Sequence, residues 1–404
     1  MATFHPMSGI RYDPDRVDLA DVLAPPYDVI DDDGRAELEA RSPYNAVYVE
    51  LGRDTTERDR YAEATCHFDR WLAEGVLRVD DEPSFYVYRM GWHDEAGQAH
   101  QTTGIVGALE LSTPDEGRVL PHERTMGKPK GDRLRLLQAC RANLSPVWGL
   151  SLAAGLSELC QVEGPPVARA TDEDGVHHRL WRITRPGVLA AITDAVASAP
   201  VVIADGHHRY ETALAYRDER RAATGRSSGD FDLLLAFVVE LTEDQLQVRP
   251  IHRLISGLPD EFDLVGALAP FFEMTEEPTG ASDTPRGLTD RMGTVGALAL
   301  LVGERAWLLR PRDADGSDHA DQPDSMTLDA ALDTMPDHQL DFHQSAEAVA
   351  DLARSGKADA AVLVRPVAVR HIAAAARAGH RMPPKTTFFA PKPRTGLVFR
   401  RLHD

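Results

Sequence analysis

Cysteine is scarce in this chain of 404 residues: Cys66, Cys140 and Cys160 are the only three. The number is odd and no pair has CxxC spacing, which excludes a disulfide framework and a cysteine zinc site and suits a reducing compartment. Long apolar runs are also missing. The longest, Leu233 to Val239, is far short of the ~20 residues that span a bilayer. The first residues, MATFHPM, show no basic stretch before an apolar core, so no signal peptide is expected and a soluble cytoplasmic protein is. Positive charge is in deficit: 44 Lys and Arg face 64 Asp and Glu, a formal net charge of −20. Such a surface repels nucleic acid and anionic membranes, so neither is expected as a partner. No HExxH, GxxxxGK[ST], GxGxxG after a strand or GxSxG occurs, which argues against standard zincins, P-loop enzymes, dinucleotide-binding enzymes and α/β-hydrolases.

What is present is an ordinary globular composition, 43% hydrophobic and 27% charged, long enough for two or three domains. A helix is expected from about Thr55 to Glu74, capped by Thr55 or Thr56, with Tyr61, Ala64, Phe68, Trp71 and Leu72 on one stripe. Alternation over Ser84–Trp92 and Thr102–Leu111 around a turn at Asp94–Gly97 predicts a hairpin. A second hairpin is expected to turn at Asp172–Gly175. Residues 312–337 hold eight aspartates and read as a long acidic loop with a helical turn at Leu328–Leu332. Strands alternating with helices, plus two antiparallel hairpins, give an α+β class with a mixed sheet rather than an all-parallel one.

The most informative junction is Pro200-Val-Val-Ile-Ala-Asp205, then Gly206-His-His-Arg209, then a helix from Tyr210 to about Ala223. A strand-to-helix turn presents backbone N–H groups and the positive end of a helix dipole, a ready anion site. Gly206 lets backbone approach a phosphate, Arg209 supplies a fork of donors, and His207 and His208 can donate or accept a proton. Asp205 is placed to hold Mg2+ or to accept a hydroxyl proton. The plain alternative is an ordinary turn carrying surface histidines.

A second candidate is His122-Glu123-Arg124-Thr125 with Lys128, Lys130, Asp132 and Arg133, a local inversion of charge. Arg124, Lys128 and Lys130 suit phosphate, and Glu123 suits a general base or a metal ligand. A third is Pro383 to Lys392, whose Lys385 and Lys392 form a clamp on a proline-stiffened loop. His252-Arg253 at a strand end is weaker. His177/His178 and His338/His343 lack metal-pair spacing and read as structural.

At these motifs a resemblance enters. Ala24-Pro-Pro-Tyr-Asp28, Pro121-His-Glu-Arg-Thr125 to Arg133, Ser145-Pro146, Ala204-Asp-Gly-His-His-Arg-Tyr-Glu-Thr-Ala213, His252-Arg253 and Pro384-Lys-Thr-Thr-Phe-Phe-Ala-Pro-Lys392 stand in this order. Together they resemble the prokaryotic family called domain of unknown function 1015, over nearly the whole chain. The Asp205–Arg209 turn is also similar to the signature of the ParB/sulfiredoxin-like fold, which includes free-serine kinases. The resemblance implies a ParB/sulfiredoxin-like core over residues 121–256, flanked by an α+β region over 1–120 and an α/β region over 257–404. It implies donor phosphates of ATP or pyrophosphate on Gly206, His207, His208 and Arg209, with Asp205 as the adjacent acid. His122, Arg124, Lys128, Lys385 and Lys392 would add charge around the donor. Residue chemistry adds Glu123 as the acid that activates the acceptor. One departure is Lys385-Thr-Thr-Phe-Phe-Ala390 where the family pattern reads Lys-Ser-Thr-Tyr-Phe-Tyr.

These readings converge on a Mg2+-dependent phosphotransferase acting on a small hydroxyl compound, free L-serine above all. The competing classes are a nucleotide-binding regulator without activity and a metal-dependent hydrolase built on His122, Glu123, Asp205 and His207. The turn holds no cysteine, so sulfiredoxin chemistry is excluded.

Overall fold

The computed structural model describes residues 2–94, 97–121, 130–277, 284–312, 324–379, 382, 383 and 385–403. They fall into two compact units: residues 1–246 with 391–404, and residues 247–390.

The first unit is built on a nine-stranded sheet. Its strands are β1 (Phe4–His5), β2 (Phe85–His93), β3 (Ala99–Glu110), β4 (Val119–Pro121), β5 (Val147–Ser151), β6 (Ala168–Thr171), β7 (His177–Ile183), β8 (Val201–Asp205) and β9 (Leu233–Glu240). The order is β4-β8-β5-β9-β3-β2-β7-β6, with β1 beside β3. The pairs β4/β8 and β5/β9 are parallel, and the remaining pairs are antiparallel. The fold is therefore α+β with a mixed sheet.

Six helices of this unit matter for the site: α1 (Asp32–Arg41), α2 (Val47–Glu50), α3 (Arg60–Ala73), α4 (Lys130–Cys140), α5 (Pro186–Ala197) and α6 (His207–Thr224). One face of the sheet buries Val201, Ile203, Ala236 and Val238 against Ile192 and Val196 of α5 and Tyr210 and Ala213 of α6. Helix α3 starts at Arg60, not near Thr55, and its cap is Asp59, which accepts from Tyr61 N at 3.1 Å and Ala62 N at 2.8 Å. Thr55 is spent on a turn with Arg58, N to O at 2.8 Å, so it cannot cap the helix.

The boundary expected at residue 120 runs through this sheet. Strand β3 pairs with β9 and β4 pairs with β8, so residues 121–256 do not close a sheet of their own. The boundary at 256 also moves, because the second unit starts at 247 and the chain returns to the first unit at Pro391. There Thr395 bridges Ala24, Phe399 bridges Ile10, and Arg400–Arg401 pair with Ala142–Asn143.

The second unit carries an antiparallel six-stranded sheet: β10 (His252–Ser256), β11 (Phe272–Glu276), β12 (Leu298–Val302), β13 (Arg305–Pro311), β14 (Gln339–His343) and β15 (Ala360–Leu363). Their order is β11-β13-β12-β15-β10-β14. Because side chains alternate along a strand, β12 sends Ala299 and Leu301 to one core and Leu298 and Leu300 to the other. Helices α7 (Pro285–Val295) and α9 (Ala346–Arg354) cover the first face, and α8 (Asp324–Leu332) covers the second. Helix α8 takes over part of the segment expected as an acidic loop. Its first residue, Asp324, is buried and paired with Arg365 at 2.6 Å, which ties the segment down. Residues 313–323 lie outside the described ones.

Candidate active site

Strand β8 ends on Asp205, and Gly206 then adopts φ +88°, ψ +28°. That left-handed conformation favours glycine, and a Cβ there would meet the Arg209 side chain at 2.9 Å. The turn opens directly into α6, so His207, His208 and Arg209 occupy the first turn of the helix rather than a loop before it. No side chain caps this end, and the positive end of an 18-residue helix dipole sits beside Asp205.

Asp205 is held between two cations. Arg209 Nη2 donates to Oδ2 at 2.6 Å, and Lys392 Nζ donates to Oδ1. Burial works against the charged carboxylate, but Lys392 and then Arg209, with His207 nearby, hold it well below the usual carboxylate range. Arg209 also donates Nη1 to the carbonyl of Pro146, which ties the Ser145-Pro146 motif to the turn. The chain thus brings together residues 187 positions apart in sequence at the Asp205–Lys392 pair.

Facing this turn is a carboxylate that the sequence reading did not single out. Glu50 closes the short helix α2 and is 3% exposed. Its Oε1 accepts from Ser145 Oγ at 3.2 Å and lies 3.5 Å from Arg133 Nη1. Its Oε2 is buried and meets no hydrogen-bond partner among the described residues. Burial pushes the Glu50 carboxyl above its ordinary value despite the pull of Arg133 and Arg209. Arg133 in turn donates Nη1 to the Glu50 carbonyl at 2.8 Å and stacks its guanidinium 4.5 Å from the centre of the Tyr27 ring. Tyr27 brings in the Ala24–Asp28 motif. Burial raises its pKa most, with Arg209 and Arg133 opposing.

A cavity of about 50 Å3 lies between these groups. Glu50, Arg133, Ser145, Arg209 and Thr212 line it with Leu234. Thr212 Oγ1, like Glu50 Oε2, is buried without a partner among the described residues. Buried polar atoms ordinarily find partners, so two orphaned oxygens in one cavity mark a place for a ligand's donors.

The sequence candidates separate as follows. Asp205, Gly206, His207, His208, Arg209 and Lys392 share one turn or contact it. Lys385 belongs to the second unit, where its carbonyl accepts from Arg253 Nη1 at 3.0 Å. His122, Glu123, Arg124 and Lys128 lie outside the described residues. Asp205 does not fit the Mg2+ ligand role, because both its oxygens are engaged by Lys392 and Arg209. Among the described residues no cluster of three His, Cys, Asp or Glu could hold a metal ion. Glu50 carried one readable signal: it is a lone acid in the apolar run Ala46–Leu51, apart from Tyr48.

No curated protein matches the sequence. Among solved structures, a conserved hypothetical protein from Pyrococcus furiosus shares 13% identity, covering 70% of this chain and 90% of its own, with a TM-score of 0.36. A free serine kinase in complex with AMP shares 15%, covering 69% and 89%, with a TM-score of 0.36. SbnI with a C-terminal truncation, from Staphylococcus aureus, shares 12%, covering 72% and 85%, with a TM-score of 0.37. Residues 4–335 match the family described as protein of unknown function (DUF1015), and the chain belongs to that family.

Proposed function

We propose that this protein is a phosphotransferase that moves a phosphoryl group from ATP or pyrophosphate to a small hydroxyl compound, free L-serine being the acceptor the sequence resemblance implies. The observation that carries this reading is one cavity bordered by Arg209 of the Asp205–Arg209 turn and by the orphaned carboxylate of Glu50. Phosphoryl transfer asks a protein for positioning, cations on the phosphates and an acid to orient the nucleophile. The first turn of α6 and Arg209 would bind donor phosphates, and Lys392 would add charge. Asp205 keeps Arg209 and Lys392 in place. His207 and His208 would donate to phosphate oxygens.

In the transfer, the acceptor oxygen forms a bond to phosphorus as the bond to the leaving ADP or phosphate breaks. The hydroxyl proton passes to Glu50 Oε2, the role first given to Glu123. A carboxyl whose pKa is raised toward the working pH is a better base than an ordinary one. Mg2+ would come in on the donor's phosphates, and no step is assigned to it.

The test is a matrix read by phosphorus NMR. Purified protein with Mg2+ meets ATP, ADP or pyrophosphate, each with L-serine, L-threonine or glycerate. A phosphomonoester signal is expected in at least one cell. Asp205→Asn should reduce its rate about 100-fold or more, since both cations lose their anchor. Donor binding without any transfer would favour a regulator, and donor hydrolysis without acceptor phosphorylation would favour a hydrolase.

A further inference from the structure

Asp132 and Arg133 stand side by side in the first turn of α4. Adjacent residues on a helix do not face each other, yet the Arg133 side chain folds back onto its neighbour. Its Nε donates to Asp132 Oδ2 at 2.8 Å and its Nη2 to the same oxygen at 2.6 Å. Tyr61 of α3 fixes the other oxygen, its hydroxyl donating to Oδ1 at 2.9 Å. Arg133 Nη1 donates to the Glu50 backbone carbonyl at 2.8 Å, while the carboxylate Oε1 stands 3.5 Å from it. All three nitrogens of the fork are spent, and Tyr27 covers its face at 4.5 Å.

A fork left free would turn to Glu50. A guanidinium matches a carboxylate with two parallel hydrogen bonds, and Glu50 is buried with Oε2 open. Arg133 turned onto it would cap both oxygens of the base and favour its charged form. Asp132 competes for that fork at closer range, 2.6 Å against 3.5 Å. Its charge also repels that of Glu50 across a cavity of about 180 Å3 that both line. Both effects keep the proton affinity of Glu50 high. Burial pushes the Glu50 carboxyl up, Arg133 and Arg209 pull it down, and Asp28 opposes them. Burial keeps Tyr27 and Cys140, which also face it, neutral. Arg35 and Arg60, on the same cavity, are engaged by Glu39 and Asp54.

We infer that Asp132 is a positioning residue for Glu50: by holding Nε and Nη2 of Arg133 it keeps that guanidinium off the Glu50 carboxylate and leaves Oε2 open to the acceptor's proton. The inference rests on Glu50 being the acceptor's base. It adds what stops that base from being captured by the cation beside it.

The experiment is a carbon-13 NMR titration of the full-length protein labelled at its glutamate carboxyl carbons, from about pH 4 to 8. The Glu50 signal is the one lost in Glu50→Gln. Rate profiles of phosphoryl transfer over the same range accompany it. In Asp132→Asn the Glu50 titration should move down by about one unit, and the acid limb of the rate with it. Above that limb kcat should fall roughly threefold, the cost of a weaker base. Burial opposes the charge of Asp132, but Arg133 and Tyr61 hold its carboxyl below the ordinary value, so the limb is not its own. Asp132→Glu, which keeps the charge, should stay near wild type. Arg133→Gln should move Glu50 upward. The Asp132 side chain is 36% exposed, so Asp132→Asn should leave the thermal unfolding curve nearly in place. A merely structural role would shift that curve and leave Glu50 where it is. A Glu50 titration unmoved or raised in Asp132→Asn overturns the inference, whether or not the protein transfers phosphoryl groups. So does Asp132→Glu moving as far as Asp132→Asn. A downward move in a protein that transfers nothing keeps the hold of Asp132 on Glu50 and removes the phosphotransfer. Transfer whose acid limb stays put while the Glu50 signal moves removes Glu50 as the base, and the positioning role with it.

Discussion

Glu50 is a buried acid with one satisfied oxygen and one orphan, and its chemistry follows from that asymmetry. Glu50→Gln keeps the shape and removes the base, so kcat should fall about 10²- to 10⁴-fold. Donor affinity, read by calorimetry, should stay near wild type, because the proposed donor contacts are Arg209 and the first turn of α6. The pH dependence has a defined sign. Burial raises the folded pKa of Glu50, and the base works ionised, so activity should fall as pH drops through a value above the ordinary ~4.3 of glutamate. A rate profile from pH 4 to 8 should show this acid limb in the wild type and lose it in the residual activity of Glu50→Gln. A limb unchanged in that variant would assign the proton to another group.

At the scale of elements, the segment that delivers Lys392 is fastened two residues further on. Arg394 is 7% exposed and donates Nε to Asp172 at 2.9 Å, Nη1 to Glu173 at 3.1 Å, and Nη2 again to Asp172. His178 Nε2 lies 2.9 Å from the same Oδ2 of Asp172 that Arg394 engages, and its Nδ1 lies 2.8 Å from the Tyr88 hydroxyl. The hairpin of β6 and β7 thus clamps the returning C-terminal segment. Burial opposes ionisation of Asp172, but His178 and Arg394 hold its carboxyl well below the ordinary range. Arg394→Ala leaves that carboxylate buried without its cation and should cost about 3–5 kcal/mol in denaturant unfolding at neutral pH. The linkage sign is that of a depressed carboxyl. The stabilisation is present above the unfolded pKa of ~3.9 and is lost as pH falls toward the folded value. Stability of the wild type should therefore drop more steeply below pH 4 than that of Arg394→Ala. A loss under 1 kcal/mol would show that the clamp is not what holds the segment.

At the scale of the molecule, the second unit is an insertion between Leu246 and Pro391. Its ends meet, because Gln247–Arg249 pairs antiparallel with Phe388–Ala390. Paired strands put such ends about 5 Å apart, a gap that a short linker closes. The first unit's sheet core and the second unit's two cores are made of separate residues. A chain in which a short Gly-Ser linker replaces residues 247–390 should fold, with a cooperative thermal transition and near-ultraviolet circular dichroism. Loss of both signals would show that the first unit needs the second. The net charge of −20 acts at this scale too. It repels polyanions broadly, while Arg209 and Lys392 at Asp205 make a local exception.

Much of the fold was legible because it is local. The run Val201–Asp205, the glycine after it and the amphipathic stretch beyond dictate a strand, a left-handed turn and a helix from neighbouring residues alone. The same locality made the hairpins and the mixed sheet readable. Helix α3 was found but its start was misplaced, since a turn closed by Thr55 competes with its cap. Glu50 was legible only as a lone acid among apolar residues, not as the base proposed here. Its orphaned oxygen depends on burial by partners 83 and 95 positions away, Arg133 and Ser145, which no periodicity encodes. The two lysines show the division most plainly. Lys385 and Lys392 stand seven positions apart on one motif and looked equivalent. The sequence by itself set their charge and the proline-stiffened segment that carries them. Tertiary structure alone assigned them to different units, because the chain crosses from one core to the other between Ala390 and Pro391, and only Lys392 has its charge answered by Asp205.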